Sequence, residues 1–298
     1  MKIIDCCIFF DEKMLLELRM NILNKYVDRF VVVESNFTHS GKYKKFNFNI
    51  DDYLNFKNKI DYIQVKGLPN NLFEIKRNLS TDKANELKIK NALILENFQR
   101  NKILKGLANA NDNDLIIISD VDEIPNLENL EKYHLKKNII LFKQNIFYYK
   151  FNLKHPDLEW FGSKAIKKNK LITPQHLRNI KNKIYPLWRI DTWFSKKKKT
   201  NISIVENGGW HFTNIKKPKN IYNKFLNFLH HVDFEESGLQ QKDINDFVKD
   251  QLVPYGHNLD KKKEKKWGEK ILLKKVNVKI LPDYLVNNLE KYKEWIAS

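Results

Sequence analysis

Short apolar runs alternate with stretches of helical periodicity through the first 150 residues, and this alternation limits the fold more than any other feature. The apolar runs of strand length are Ile3–Phe10, Phe30–Val33, Ile60–Val65 and Leu115–Ile118. Between them, Met14–Leu23 and Asp82–Leu107 carry apolar residues at helical spacing. Strands that alternate with helices are typical of βα units around a parallel sheet. We therefore predict an α/β fold with a mostly parallel central sheet flanked by helices.

The chain is strongly basic, with 54 lysines and arginines, 36 acidic residues and a net charge of +18. A basic surface attracts nucleic acid, anionic lipid head groups or a phosphorylated substrate. A basic nucleic-acid-binding protein is therefore one alternative for the function. However, the lysines are scattered, and the sequence contains no helix-turn-helix, zinc or RNA-recognition pattern. We expect no nucleic-acid partner.

Cys6 and Cys7 are the only cysteines, and they are adjacent in the first apolar run. Neighbouring residues of a strand point to opposite faces, so these two do not easily form a disulfide. A chain without a disulfide framework fits a reducing compartment. The N-terminal apolar run is broken by Asp5 and is too short to span a membrane. We expect a cytoplasmic protein.

The sharpest chemical signal is an Asp-x-Asp motif directly after the apolar run Leu115–Ile118, in Ser119-Asp120-Val121-Asp122-Glu123. In open α/β sheets, ligands bind outside the carboxyl ends of the strands. Two carboxylates at that edge can hold a hard divalent cation such as Mn²⁺ or Mg²⁺. Such a cation bridges a diphosphate and neutralises the charge of a departing nucleotide. The alternative is an acidic turn that caps a helix starting at Pro125.

Phosphatases of the haloacid-dehalogenase type also place Asp-x-Asp at the end of a strand, with the first aspartate as nucleophile. In those enzymes the motif usually opens the chain, and a later lysine and acidic pair are needed. Here the motif follows three candidate strands, and no acidic pair follows a later apolar strand. This alternative is the weaker one.

Several linked segments resemble glycosyltransferase family 17, in order and at plausible spacing over about residues 3–235. These segments are Asp5–Phe10, Leu15–Arg19, Val27–Ser35, Gln99–Asn101, Asp120–Pro125 and Asn207–Phe212. The resemblance implies a GT-A-type nucleotide-sugar-binding fold, a UDP-sugar donor (typically UDP-N-acetylglucosamine), a divalent metal and inversion at the anomeric carbon. The expected acceptor is the hydroxyl of a glycan or of a lipid-linked glycan.

With this resemblance, residues 1–298 are interpreted as a single GT-A-like domain. Residues 1–125 form the nucleotide-sugar-binding half, and residues 126–240 form the acceptor-side half, which includes the candidate strands Ile139–Phe142 and Ile146–Phe151. Residues 241–298 are expected to form a helical basic tail.

Four residues are candidates for donor binding. Glu34 ends the second candidate strand at the ligand edge, where it can bind the uracil or the ribose, although a surface position is the alternative. Arg100 can neutralise phosphate with its fixed fork of donors, or simply pack along its helix. Asn101 can hydrogen-bond ribose or phosphate. Asp120 is expected to contact both the donor and the metal.

His211 is the candidate third metal ligand beside Asp120 and Asp122, because GT-A enzymes often supply a late histidine to the metal. It lies between two aromatic residues and follows Gly208-Gly209. A buried, hydrogen-bonded histidine is the alternative. His230 and His231 are weaker candidates of the same kind.

Inversion needs a general base that takes the proton of the acceptor hydroxyl, and this base is normally a carboxylate. Asp191 is the first candidate because it lies between Trp188 and Trp193, whose rings can stack on an acceptor sugar. Glu206 and Glu159 are the next candidates.

The tail carries a second charge pattern. Lysines at 261–266 and 274–275 flank Trp267, Ile271 and Leu272. A helix there has a basic face beside an apolar one, and such a helix can lie on an anionic membrane, here at the inner membrane face. The alternative is that the apolar residues pack on the body of the protein while the lysines stay in water.

Overall fold

A seven-stranded sheet lies at the centre of the protein. The computed structural model describes residues 1–128, 130, 137–186, 188, 190–192, 194–256 and 267–298. In order across the sheet, the strands are β10 (Ile202–Val205), β6 (Ile139–Phe142), β9 (Lys164–Lys167), β4 (Leu115–Asp120), β1 (Ile3–Phe9), β2 (Arg29–Ser35) and β3 (Ile60–Val65). β3, β2, β1 and β4 pair in parallel, and so do β6 and β10, whereas β9 is antiparallel to both of its neighbours.

Both faces of this sheet are covered, which explains why its strands read as continuous apolar runs. Successive residues enter different cores: Cys7 and Ile117 pack in one, and Cys6 and Ile118 in the other. Helix α1 (Lys13–Leu23) covers the first face, and α3 (Ile103–Gly106) covers the second. The prediction of an α/β fold with a mostly parallel central sheet and flanking helices is confirmed.

Helix α2 (Thr81–Asn101) is shorter than the predicted helix, which runs to residue 107. It begins at an N-cap, Ser80, whose side chain accepts a hydrogen bond from the backbone N–H of Lys83. It ends before α3, which is a separate turn of helix. A 3₁₀ segment (Ile50–Lys59) precedes β3. Helix α4 (Pro174–Arg178) follows β9, with Pro174 at its first turn.

A second, five-stranded sheet packs beside the first. In order, its strands are β14 (Lys274–Lys275), β8 (Leu153–Trp160), β7 (Gln144–Tyr148), β11 (Gly209–Thr213) and β5 (Glu123–Pro125). Strand β7 ends earlier than predicted because Tyr149 has a positive φ of 64°, which no strand continues. Helices α5 (Pro218–Phe225), α6 (His231–Ser237) and α7 (Gln241–Lys249) pack around this sheet.

The prediction that Pro125 starts a helix is wrong. Pro125 ends β5 and lies opposite Gly209 of the antiparallel β11. The approach is so close that a Cβ on Gly209 would lie 2.1 Å from the carbonyl oxygen of Ile124, and Gly209 has a φ of +126°. Glycine is required there for both reasons. The residues after Asp122 therefore join the two sheets instead of capping a helix.

The predicted helical basic tail is wrong beyond α7. Trp267–Leu272 form β13, which pairs antiparallel with β12 (Leu252–Tyr255). Trp267 is buried, whereas Leu272 is 62% exposed, so no continuous apolar helix face exists there. Further on, the helical segments are α8 (Asp283–Val286) and two 3₁₀ turns, Val278–Ile280 and Lys293–Trp295. The lysine run 261–266 lies outside the described residues.

No helix in the described part of the chain combines the length and the apolar character needed to cross a bilayer.

A buried ion pair joins α1 to the sheet. Arg19 and Asp5 are 0% and 1% exposed, and Arg19 Nε and Nη2 donate to Asp5 at 2.7 and 2.6 Å. Arg19 Nη1 also donates to the carbonyl oxygens of Asp120 (at 3.2 Å) and Glu123. One guanidinium therefore ties the first strand to the segment between β4 and β5.

We expect Arg19→Met to lower the free energy of unfolding by about 3–5 kcal/mol, because it leaves the Asp5 carboxylate buried without a partner. Urea denaturation measures this. The control is Lys13→Met on the same helix, whose exposed pair with Asp52 contributes at most about 1 kcal/mol. Similar small losses for both variants would contradict the interpretation.

Candidate active site

A cleft of about 550 Å³ opens at the carboxyl ends of β1 and β4, where the two sheets meet. Phe9 and Phe10 at the end of β1 line it, together with Asp120, Asp122 and Glu123 at the end of β4. The second sheet contributes Trp160 of β8 and His211 of β11. Polar side chains thus meet at the edge where the strand order predicts a ligand site.

The turn Asp120–Glu123 is fixed by hydrogen bonds on several sides. Glu123 Oε2 accepts from the backbone N–H of Asp120 at 2.7 Å, and Glu123 Oε1 accepts from Trp160 Nε1 at 2.7 Å. The backbone N–H of Phe212 donates to the carbonyl oxygen of Asp122 at 2.8 Å. Arg19 holds the turn from below through the carbonyl oxygens of Asp120 and Glu123. These hydrogen bonds fix the backbone that carries Asp120 and Asp122.

The carboxylate of Asp120 is held by two arginines. Arg100 Nη2 donates to Oδ1 at 2.9 Å, and Arg178 Nη2 donates to Oδ2 at 3.0 Å. Burial opposes ionisation, but Arg178 and Arg100 outweigh it and lower the pKa of Asp120 to about 2. Asp120 is ionised at neutral pH, and each of its oxygens has a cationic partner.

Asp122 faces a lysine and a histidine. Lys224 Nζ lies 3.4 Å from Oδ2, and His211 Nε2 lies 3.6 Å from Oδ1. Burial opposes ionisation here too, but Lys224 and His211 hold the pKa of Asp122 well below its usual range. The ring of His211 stacks on Trp160 at a centroid distance of 5.1 Å, and its buried Nδ1 has no hydrogen-bond partner.

The donor set fits a divalent cation only in part. Within the described ranges, no group of three or more His, Cys, Asp and Glu side chains is arranged to hold a metal ion. Asp122 and His211 are close enough to share one ion, whereas Asp120 is engaged by its arginines. Mg²⁺ is often bound through one or two carboxylates, with phosphates and water completing the shell. Asp122 and His211 therefore fit a cation whose remaining ligands are phosphate oxygens and water.

The structure does not bring the other donor candidates into the cleft. Glu34 is fully buried beneath the segment after β2, where it accepts from Tyr62 Oη at 2.8 Å and from the backbone N–H of Asn47 at 2.7 Å. Asn101 Oδ1 accepts from the backbone N–H of Gln175 at 3.0 Å. Both side chains are engaged in holding loops, and neither lines the cleft.

Arg100 is also absent from the cleft lining. It is 2% exposed and lies behind Asp120, where it also donates to Glu96 at 3.0 Å and to Gln175. The structure therefore places Arg100 as a support for Asp120, not as a direct phosphate ligand. The cations that line the cleft are Lys44, Arg178 and Lys224.

The three base candidates lie outside the cleft lining. Asp191 pairs with Lys198 at 2.6 Å, and Glu159 and Glu206 both pair with Lys143, at 2.7 and 3.1 Å. Asp191 lies in a loop that follows α4, and Glu206 follows β10 at the far edge of the first sheet. Sequence order does not reveal that these carboxylates lie outside the cleft that contains the Asp120–Glu123 turn. The structure therefore does not bring these three candidates into the cleft.

The two later histidines, His230 and His231, lie in different environments. His230 lines the cleft, whereas His231 is 5% exposed and its Nδ1 lies 3.0 Å from the carbonyl oxygen of Phe228. His231 is a buried, hydrogen-bonded histidine.

Four charged residues of the cleft lining that the proposals below use are missing from the sequence interpretation: Glu12, Glu96, Arg178 and Lys224. Glu12 lies between the end of β1 at Phe9 and the start of α1 at Lys13, so the strand-edge rule that indicates Asp120 also indicates this residue. Arg178 and Lys224 belong to no motif, and among 54 lysines and arginines nothing distinguishes them.

The profile of the family described as glycosyltransferase family 17 matches residues 1–184, which include β1, Arg19, Arg100, the Asp120–Glu123 turn and Arg178. This chain belongs to glycosyltransferase family 17. As a member, it falls in an enzyme class that uses nucleotide-sugar donors. The nucleic-acid-binding and phosphatase alternatives lose their support. The segment Asn207–Phe212, which contains His211, lies beyond the matched residues.

Remote similarity to solved structures includes the following three. The crystal structure of HddC from Yersinia pseudotuberculosis has 13% identity and a TM-score of 0.33, covering 75% of this chain and 97% of that chain. The same protein complexed with GMP-PN has 14% identity and a TM-score of 0.34, with the same coverage. An active-site mutant of LgtC has 13% identity and a TM-score of 0.31, covering 73% and 89%. None of the curated proteins matches this chain.

We expect Trp160→Phe to lower the free energy of unfolding by about 1.5–3 kcal/mol. Phe retains an aromatic ring, but the Glu123 carboxylate loses the hydrogen bond that Trp160 Nε1 donates to it. The control is Trp210→Phe, which removes a bond to a neutral acceptor, the carbonyl oxygen of Ile280 at 2.9 Å. Its expected cost is about 0.5–1.5 kcal/mol. Urea denaturation measures both, and a smaller loss for Trp160→Phe would contradict the role of this bond.

Proposed function

We propose that this family 17 member is a metal-dependent, inverting glycosyltransferase. It moves a sugar, N-acetylglucosamine by the family expectation, from a UDP-sugar to a hydroxyl of a glycan or lipid-linked glycan. The observation that carries the proposal is the preorganised Asp120–Glu123 turn in a cleft at the carboxyl ends of β1 and β4. This location and these groups match the GT-A-type expectation for a nucleotide-sugar site.

The proposed donor site uses fixed charges. When bound, a divalent cation supplies positive charge to the departing diphosphate, and Asp122 and His211 are its proposed protein ligands. Lys224, 3.4 Å from Asp122, and Arg178, 3.0 Å from Asp120, are held in place before any substrate arrives. Such preorganised charges stabilise a developing negative charge without reorganisation during the reaction. Arg100 acts indirectly, by holding Asp120.

The proposed base is one of the carboxylates in the cleft that lie outside the Asp120–Glu123 turn, namely Glu12 and Glu96. Glu12 Oε1 pairs with Lys216 at 3.0 Å, and Glu96 pairs with Arg100 at 3.0 Å. In both cases burial opposes ionisation, but these cations lower the pKa of the carboxyl, which keeps it in the form that accepts a proton. They replace Asp191, Glu206 and Glu159 as candidates.

The metal proposal is tested by release of UDP from UDP-N-acetylglucosamine with Mn²⁺ or with EDTA. We expect Asp122→Asn and EDTA each to lower the rate at least about a hundredfold, since both remove stabilisation of the leaving diphosphate. Asp191→Asn is the comparison, and we expect it to retain activity because Asp191 lies outside the cleft lining. Full activity in EDTA would contradict the metal dependence. Loss of activity in Asp191→Asn would contradict the proposed location of the active site.

A second experiment assigns the base. We expect either Glu12→Gln or Glu96→Gln to lower the transfer rate by about 10²–10⁴-fold, the usual contribution of a general base. The same variant should leave UDP affinity, measured by calorimetry, near the wild-type value. Retained transfer in both variants would contradict this assignment.

A further inference from the structure

The side of the cleft that α5, the segment after it and the β12–β13 pair provide is aromatic. It consists of Phe225, Phe228, His230, Tyr255 and Trp267, which we call the aromatic wall. Trp267 contacts Phe225 at a ring centroid distance of 5.1 Å and Tyr255 at 5.0 Å. His230 lies 6.1 Å from Tyr255, and Phe228 lies 5.5 Å from Phe225. The rings form one connected surface.

The aromatic wall begins next to the groups proposed for chemistry. Phe225 directly follows Lys224, whose Nζ lies 3.4 Å from Asp122. Trp160 packs on the same hydrophobic core as the wall while its Nε1 donates to Glu123 at 2.7 Å. A group resting on the wall is therefore next to the Asp120–Glu123 turn.

The other side of the cleft belongs to the parallel sheet. It contains Phe9 at the end of β1, and His39 after β2, whose Nε2 lies 3.1 Å from Gln99 Oε1 of α2. Phe9 packs in the core beneath α1, which is distinct from the core behind the wall. By the strand-edge rule, this is the side for the nucleotide. The aromatic wall is then left for the second substrate.

We propose that the aromatic wall is the acceptor subsite and that it binds a pyranose ring of a carbohydrate acceptor. This proposal rests on the proposed glycosyltransferase function. A pyranose has a face of C–H groups, which packs on the negative face of an aromatic ring, and a rim of hydroxyls that need polar partners. The wall supplies the ring faces, and polar side chains line the cleft beside them: His230, whose Nδ1 lies 3.3 Å from Asp233, and Asn227, whose Oδ1 accepts a hydrogen bond from Ser40 Oγ at 3.2 Å.

The test uses Tyr255→Ala and Phe228→Ala, because both side chains are only half buried. Tyr255→Phe retains the ring, and Phe73→Ala removes a 48% exposed ring outside the cleft lining. The acceptor probes are the methyl β-glycosides of mannose, galactose, glucose and N-acetylglucosamine. Release of UDP from UDP-N-acetylglucosamine is measured with and without each glycoside, together with saturation transfer from protein aromatic protons to the glycosides by NMR.

We expect at least one glycoside to receive saturation and to accelerate UDP release from the wild type. In Tyr255→Ala and Phe228→Ala, the KM for that glycoside should rise roughly tenfold. UDP release into water should change much less than the glycoside KM. Tyr255→Phe should restore most of the glycoside affinity that Tyr255→Ala loses, and Phe73→Ala should behave as the wild type. This split between acceptor and donor would not arise from a general loss of folding.

Three results would overturn the acceptor assignment. One is an unchanged glycoside KM in both alanine variants. Another is weaker UDP binding in Tyr255→Ala and Phe228→Ala, which would indicate that the wall binds the nucleobase and not the acceptor. The third is an absence of saturation transfer to every glycoside. Failure of the proposed function is distinguishable, because the wild type would then release no UDP from the donor under any condition.

Discussion

The structure depends on the way buried arginines hold the Asp120–Glu123 turn. This turn ends β4 of the first sheet and begins β5 of the second, so it is one of the covalent junctions of the two sheets. Arg19, itself paired with Asp5, donates to two carbonyl oxygens of the turn. Arg178 bridges Asp120 and Glu123 from α4. The Arg19 side chain is fully buried and the Arg178 side chain is 12% exposed. Removal of one partner from a buried ion pair such as Arg19–Asp5 is costly, because the other charge stays in a low-dielectric setting without a partner.

The two aspartates of the motif have different neighbours. Asp120 is satisfied by Arg100 and Arg178 and serves to shape the turn. Asp122 faces the cleft with Lys224 and His211 as its neighbours, which makes it the aspartate proposed to meet the cation. The two proposed substrates also take different sides of the cleft: we propose the edge of the parallel strands for the nucleotide and the aromatic wall for the acceptor.

Patterns that depend on the local chain are predictable from the sequence, and patterns that depend on distant partners are not. The apolar runs predict β1, β2 and β4 because strands buried on both faces must be apolar. Asp120 and Asp122 follow from their position after such a strand. The spacing of Trp267, Ile271 and Leu272 fits a helix, but pairing with β12 outweighs it, as tertiary context often does. Arg178 and Lys224 reach the site only through the packing of α4 and α5, and Asp191 misses it for the same reason.

The central claim is that the Asp120–Glu123 turn binds a nucleotide diphosphate together with a divalent cation. Calorimetric titration of UDP into the protein, with and without Mn²⁺, tests this most directly. The account predicts tight binding with Mn²⁺, a large loss of affinity without it, and weak binding under both conditions in Asp122→Asn. Equal UDP affinity with and without Mn²⁺ in the wild type would contradict it.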